Sequence, residues 1–383
     1  MTPLTSSATM SANASKLLRF LLVLEFLSLG LLFPTYTFFM QETLWLRLVA
    51  VGLALLGLFT LTGVWTHQAW SPWAVLSLIS CKLTLDLFAW AMGLVPWLVP
   101  FSWLINGIIV GLIFWQDSPV QPEVTRLQKG FFGFVMLLAA LVGIWGLFLP
   151  AQVDAILPFL VPPLHARFLG GMYLSGATFM ILGIAATRWV EVRVMVPMIA
   201  IWTGMLGLVS LVHLSAFDWD LPQVWIWFVA YIGYPIIAAW IAWQQRSLQE
   251  TPAGPPLSLA LRGYLRLQGA GVTLLAGLLL VAPALMTRLW PWEITPLLAQ
   301  IYSAPFFSYG LGSLYAARQH TWVEVRILVQ ATLVFTLTVF IASFVHLDLF
   351  TPGALATWLW FSGVGLATLA LGVFSLMPAW RSR

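Results

Sequence analysis

Apolar residues run for about 20 positions at a time along this chain, the length needed to cross a hydrocarbon core of roughly 30 Å. Short polar or proline-rich stretches punctuate the runs. Twelve such segments can be placed, at 17–40, 44–65, 73–95, 97–116, 129–149, 165–187, 192–214, 223–244, 262–282, 296–317, 323–346 and 354–377. The stretches 151–164 and 284–295 are proline-bearing connections, and residues 1–15 are read as a disordered tail. The alternation of a β-barrel wall, with its polar lumen face, is absent overall. The expected fold class is all-α: a polytopic membrane protein with about twelve transmembrane helices.

Composition agrees. The chain is 61% hydrophobic and 8% charged, against about 25% charged residues in a soluble domain. A single cysteine, Cys81, excludes an intrachain disulfide and a cysteine-built metal site. With so few basic residues, nothing points to nucleic acid. No cytoplasmic loop is long enough to fold alone, so nucleotide-driven transport within this chain is not expected.

The basic residues orient the spans. Setting aside Lys82, which lies within a span, 13 lysines and arginines fall on one side and three (Arg47, Arg167 and Arg288) on the other. That asymmetry places the rich side, and both termini, in the cytoplasm, and the chain in the plasma (inner) membrane. Many of the 22 tryptophans, among them Trp73, Trp97, Trp189 and Trp322, sit near span ends, as an aromatic belt requires.

An internal repeat divides the spans. The pentapeptide WVEVR occurs at 189–193 and at 322–326, and SLVHL at 210–214 returns as SFVHL at 343–347. The offset is 133 residues in both cases and also relates Pro150 to Pro283 and Trp225 to Trp358. An earlier copy aligns at an offset of 116, pairing Pro34 with Pro150 and Trp73 with Trp189. The expected plan is three tandem, parallel four-helix units at 16–117, 128–245 and 262–378, with a cytoplasmic linker at 246–261. This differs from the inverted repeats of many transporters.

The second span of the middle unit, ARFLGGMYLSGATFMILGIAATR, opens on Arg167 and is rich in glycine and small residues; a basic turn with Arg188 and Arg193 follows. In this each unit resembles the DoxX-like superfamily of small four-helix membrane proteins. The resemblance implies a four-helix membrane unit and, as for some members, association with quinone-linked redox complexes. It carries no catalytic residue onto this chain.

One unit breaks the apolar rule. In SCKLTLDLFAW, residues 80–90, Lys82 and Asp86 alternate as on a strand, but an open strand in lipid leaves its backbone unpaired. On a helix the two stand at i, i+4 on one face, and Trp90 continues the stripe. Lys82 lies nine residues beyond Trp73, roughly 13 Å deep at about 1.5 Å per residue. Glu25 and Asn106 fall at similar depth in the first and fourth spans. At the repeat offsets, Glu25, Lys82 and Asp86 correspond to Leu141, Met198 and Trp202, and then to Leu274, Ala331 and Phe335. The fold therefore does not need these charges, each of which costs about 2.5–3.5 kcal/mol at mid-membrane.

Glu25, Lys82, Asp86 and Asn106 are accordingly the candidate substrate or proton pathway, alongside a purely structural polar clamp. The leading function is a proton- or ion-linked small-molecule transporter, not an enzyme. The alternative is a non-catalytic accessory or structural subunit of a membrane redox complex that binds lipid or quinone. Expected partners are membrane lipids and possible membrane subunits. No cofactor is evident. The repeat-related His213 and His346 are the candidates if haem or a chlorophyll-type pigment is bound; otherwise each caps its own unit. Glu191, Arg193, Glu324 and Arg326 read as structural repeat positions, each glutamate at a helix start and each arginine snorkelling to headgroups.

Overall fold

The computed structural model describes residues 12–33, 44–66, 68, 70–93, 99–115, 122–248, 250 and 254–381. His67, Pro34 and Trp97 lie outside them. The long elements are α1 (Ala12–Phe26), continued by a π-helical stretch Leu27–Leu32, α2 (Leu44–Trp65), α3 (Ser71–Ala91) and α4 (Val99–Trp115). There follow α5 (Arg126–Phe148), α6 (Pro163–Ala185), α7 (Trp189–Val212, a first turn Trp189–Val192 and then Met195–Val212) and α8 (Pro222–Gln244). The chain closes with α9 (Leu259–Val281), the short α10 (Pro283–Leu289), α11 (Pro296–Ala316), α12 (Trp322–Val345) and α13 (Leu355–Arg381). No strand occurs among the described residues, only two isolated bridges. The first helix starts at Ala12, inside the segment read as a tail, because nothing in 12–16 breaks a helix.

Among the described residues nine helices are long and apolar enough to cross a membrane: α2 from Arg47, α3, α5, α6, α7, α8, α9, α12, and α13 as far as Leu376. Three expected spans fall outside that set yet form helices. The α1 helix runs 15 residues before its π-helical turn, and α4 has only 17 residues. The 21-residue α11 is diluted by Gln300, Ser303, Ser308 and Ser313.

Local chemistry fixes the helix starts. Thr125 opens α5 with a capping box: its hydroxyl accepts from the Gln128 amide at 3.2 Å, and Gln128 Oε1 accepts from the Thr125 amide at 3.0 Å. Ser258 and Thr295 cap α9 and α11 in the simpler way. Proline occupies the first turn of α3, α6, α8 and α11, where it costs no hydrogen bond. Inside the helices, hydroxyls such as those of Ser80, Thr84, Ser210 and Ser343 donate to the carbonyl four residues back, which hides them from an apolar surround.

The chain forms two compact bodies, Met1–Val120 with Asp218–Ser247, and Gln121–Phe217 with Leu248–Arg383. These cut the chain differently from the repeat, since α8, the last helix of 128–245, belongs to the first body. There α3 packs against α2, α4 and α8.

In the second body α5 packs on α6, and α9 on α11. The α5–α6 contact depends on small residues. A Cβ on Gly146 would lie 2.6 Å from the Ala166 carbonyl oxygen, and one on Gly170 2.8 Å from the Leu147 amide, so any side chain there forces the backbones apart. The packing is crosswise: α12 packs on α6, and α7 packs on α11. Matching bonds hold both crossings, with Ser175 Oγ donating to the Ala331 carbonyl at 2.5 Å and Ser308 Oγ to the Met198 carbonyl at 2.9 Å. Each donor and each acceptor stands 133 residues from its counterpart.

Candidate functional site

In the first body, α3 carries Lys82 and Asp86 one helical turn apart near its middle. Lys82 Nζ donates to Asp86 Oδ1 and, at 2.6 Å, to Ser102 Oγ on α4. Ser102 Oγ donates in turn to Asp86 Oδ2 at 2.5 Å. The three side chains form a closed triangle in which the ammonium and the carboxylate neutralise each other. One turn along α4, Asn106 Nδ2 donates to the Ser102 carbonyl at 2.8 Å. It also reaches Ser102 Oγ and Glu25 Oε1, both at 3.3 Å. The structure thus brings Glu25, Lys82, Asp86 and Asn106 together, at 5%, 9%, 7% and 2% exposure. Trp90 does not join them. It is half exposed and meets Trp103 edge-on.

The triangle is saturated; its neighbour is not. Glu25 Oε2 and Asn106 Oδ1 are both buried and accept no hydrogen bond. Turning the Asn106 amide over would not help, because Oδ1 would then face the Ser102 carbonyl oxygen. A buried acceptor without a donor costs about 1–3 kcal/mol. The cluster therefore has one neutral, fully paired part and one part with spare acceptor capacity.

Sequence reasoning missed Ser102. Its signal was available, since it stands at i, i+4 to Asn106 on the same helix, but serine is an ordinary residue in membrane helices.

In the second body the four repeat positions pair crosswise. Arg193 Nη2 donates to Glu324 Oε1, and Arg326 Nη2 to Glu191 Oε2 at 3.0 Å. Each glutamate meanwhile caps its own helix start. Glu324 Oε2 accepts from the amides of His320 at 3.0 Å and Thr321 at 2.8 Å, and Glu191 Oε1 from those of Thr187 and Arg188. The arginines, expected to snorkel to headgroups, reach the opposite segment instead, because the crosswise packing brings each beside a carboxylate.

The two candidate ligand histidines are paired in the same crosswise manner. His213 Nε2 meets Gln300 Oε1 at 2.5 Å, and His346 Nε2 meets Arg167 Nη1. Each also stands at the C-cap of its own helix, His213 on α7 and His346 on α12, its amide donating to the carbonyl three residues back, and axial ligation through Nε2 would first break the crosswise side-chain bonds. Among the described residues no three His, Cys, Asp or Glu side chains converge.

His346 stands one residue beyond the span Trp322–Val345. Partial burial, with the Arg167 guanidinium beside it, lowers its pKa from the usual 6.5 against a smaller opposing pull from Asp348. The folded protein thus binds this proton less readily than the unfolded chain, so stability is complete above about pH 6.5 and falls as pH drops below it. The expected result is a second-body melting temperature that declines on acidification, and declines less in His346→Gln. Equal declines in both proteins would remove His346 as the source.

A further buried pair escaped the sequence reading. Tyr302 O–H donates to His165 Nδ1 at 2.6 Å, and His165 Nε2 donates to the Glu293 carbonyl at 2.9 Å. These partners fix the neutral Nε2–H tautomer. Phe168, Trp290 and Trp292 surround them.

Comparison with protein-family models, with curated proteins and with solved structures finds no match to this chain.

Proposed function

We propose that this integral membrane protein is a proton- or ion-linked small-molecule transporter whose pathway runs past Glu25, Lys82, Asp86 and Asn106. Its place is the plasma (inner) membrane, with both termini cytoplasmic, as the distribution of basic residues favours. It crosses twelve times, the nine apolar helices being joined by α1 with its π-helical turn, α4 and α11. The crosswise contacts at 133-residue spacing support tandem four-helix units at 128–245 and 262–378, with 16–117 as the divergent first member.

The observation that carries the transport reading is the unsatisfied pair, Glu25 Oε2 and Asn106 Oδ1, buried beside a saturated ion pair. A purely structural clamp gains nothing from idle acceptors, whereas a pathway needs a site whose occupancy changes. Intramembrane carboxylates mark such pathways by default.

The test uses full-length protein in vesicles loaded with a pH-sensitive dye. Amino acids, sugars, organic anions and organic cations are added in turn. One class is expected to drive proton movement, and Glu25→Gln and Asp86→Asn are each expected to abolish it while eluting as folded protein. Wild-type flux in both variants would remove the cluster from transport.

A second reading, an accessory subunit of a membrane redox complex binding lipid or quinone, is favoured by α13. Its outward face exposes Leu355, Trp358, Leu366, Leu369 and Leu376, and the likeness to the DoxX-like superfamily points the same way. Purification in mild detergent with no companion subunit would count against it.

A further inference from the structure

We infer that Glu25 holds a proton in the resting protein and is the group that releases and regains it, while Lys82, Asp86 and Ser102 form a fixed, charge-neutral clamp. The inference deepens the transport reading and stands on the hydrogen bonds and the charge balance of the cluster.

Donor supply comes first. Asn106 Nδ2 has two hydrogens and three oxygens within reach, and the Ser102 carbonyl takes the shortest bond, at 2.8 Å. Glu25 Oε1 receives a share at 3.3 Å, and Oε2 receives nothing. Ionised acceptors draw donors in to about 2.7–2.9 Å. The contact to Glu25, at 3.3 Å, is longer than an ionised acceptor draws, whereas Ser102 bonds both Lys82 and Asp86 closely. The charges lie in the triangle, and Glu25 lies outside it.

Charge balance agrees. Lys82 and Asp86 pair with each other, so the triangle carries no net charge. An ionised Glu25 would leave one uncompensated negative charge at a buried site, a costly state that such groups avoid by taking up a proton. Among the described residues, the other elements packed on α1 offer no counter-ion at this depth. The only ionisable residue of α2 is Arg47, near its start, and α4 has none. On α1 itself, Arg19 lies over the Trp65 ring at 5.6 Å and Lys16 is further toward the N-terminus.

A proton on Oε2 turns an idle acceptor into a donor, which Asn106 Oδ1, idle in the same cluster, is suited to receive. On release, the O–H bond of Glu25 breaks, its electron pair stays on the carboxylate, and the proton passes to water. Lys82 Nζ has three N–H groups, and Asp86 and Ser102 engage two of them.

Infrared spectroscopy of the purified full-length protein tests this without any transport assay. At neutral pH the wild-type protein is expected to show the C=O stretch of a buried protonated carboxylic acid, lost reversibly as the pH is raised. Glu25→Gln should lose the band completely, Glu25→Asp should shift it, and the double variant Lys82→Met/Asp86→Leu, which leaves the cluster free of uncompensated charge, should keep it. Absence of the band in wild type, or its survival in Glu25→Gln, overturns the inference. Loss of the band on adding Na⁺ at constant pH also overturns it, since the site would then be a cation site. A persistent band in a protein that moves no solute leaves the inference intact and retires the transport reading.

Discussion

Replacing Asp86 with leucine is expected to destabilise the first body by about 3–5 kcal/mol, the usual cost of stranding one partner of a buried ion pair. The loss is large because Lys82 is left buried without its counter-charge and only Ser102 Oγ remains to it. Ser102 also loses the acceptor of its own O–H. The double variant Lys82→Met/Asp86→Leu removes the stranded charge together with its partner. It should recover most of the loss, as apolar replacements of whole buried pairs often do. Denaturant unfolding in detergent, read on wild type, both single variants and the double, measures the coupling. Losses that simply add would show that the triangle is not a unit, whatever its geometry. Asp86→Asn, used in the transport test, keeps the shape and one of the two acceptors, so its loss of stability should be smaller than that of Asp86→Leu.

The second large effect is expected at Glu324, which is 1% exposed. This carboxylate holds Arg193 and closes the start of α12 at once, through the amides of His320 and Thr321. Glu324→Ala should cost about 3–5 kcal/mol, because it buries an unpaired guanidinium and removes a cap worth about 1 kcal/mol. The counterpart Glu191→Ala should cost far less, about 1 kcal/mol beyond its own cap. Its partner Arg326 is 39% exposed along the side chain, against 20% for Arg193, so water takes over where the carboxylate is lost. Thermal unfolding of the two variants side by side measures the difference. Equal losses would mean that burial does not set the strength of these crosswise pairs.

These residues also show what was legible in the sequence and what was not. The Lys82–Asp86 pairing was readable because i, i+4 adjacency is a property of any helix. The approach of Glu25 and Asn106 was readable as shared depth, since rise per residue converts position into height. The role of Ser102 was not, because a serine hydroxyl in a membrane helix usually folds back onto its own carbonyl ladder, and only the neighbouring helix reveals that this one does not. Repetition exposed the importance of Glu191, Arg193, Glu324 and Arg326 but not their partners. Spacing along the chain says that two arginines are equivalent, while crosswise packing between segments decides which carboxylate each one meets. His165 and Tyr302 carried no pattern at all, being joined by packing across 137 residues.

The crosswise packing of α12 on α6 also orders the birth of the molecule. The face of α6 that receives α12 is complete when Ala185 leaves the ribosome, yet its cover begins only at Trp322. At about 5–20 residues per second, that surface waits on the order of ten seconds while α7 to α11 are synthesised. The second body is therefore sealed late in synthesis, and a stall between α9 and α12 would leave an interlock with one arm missing.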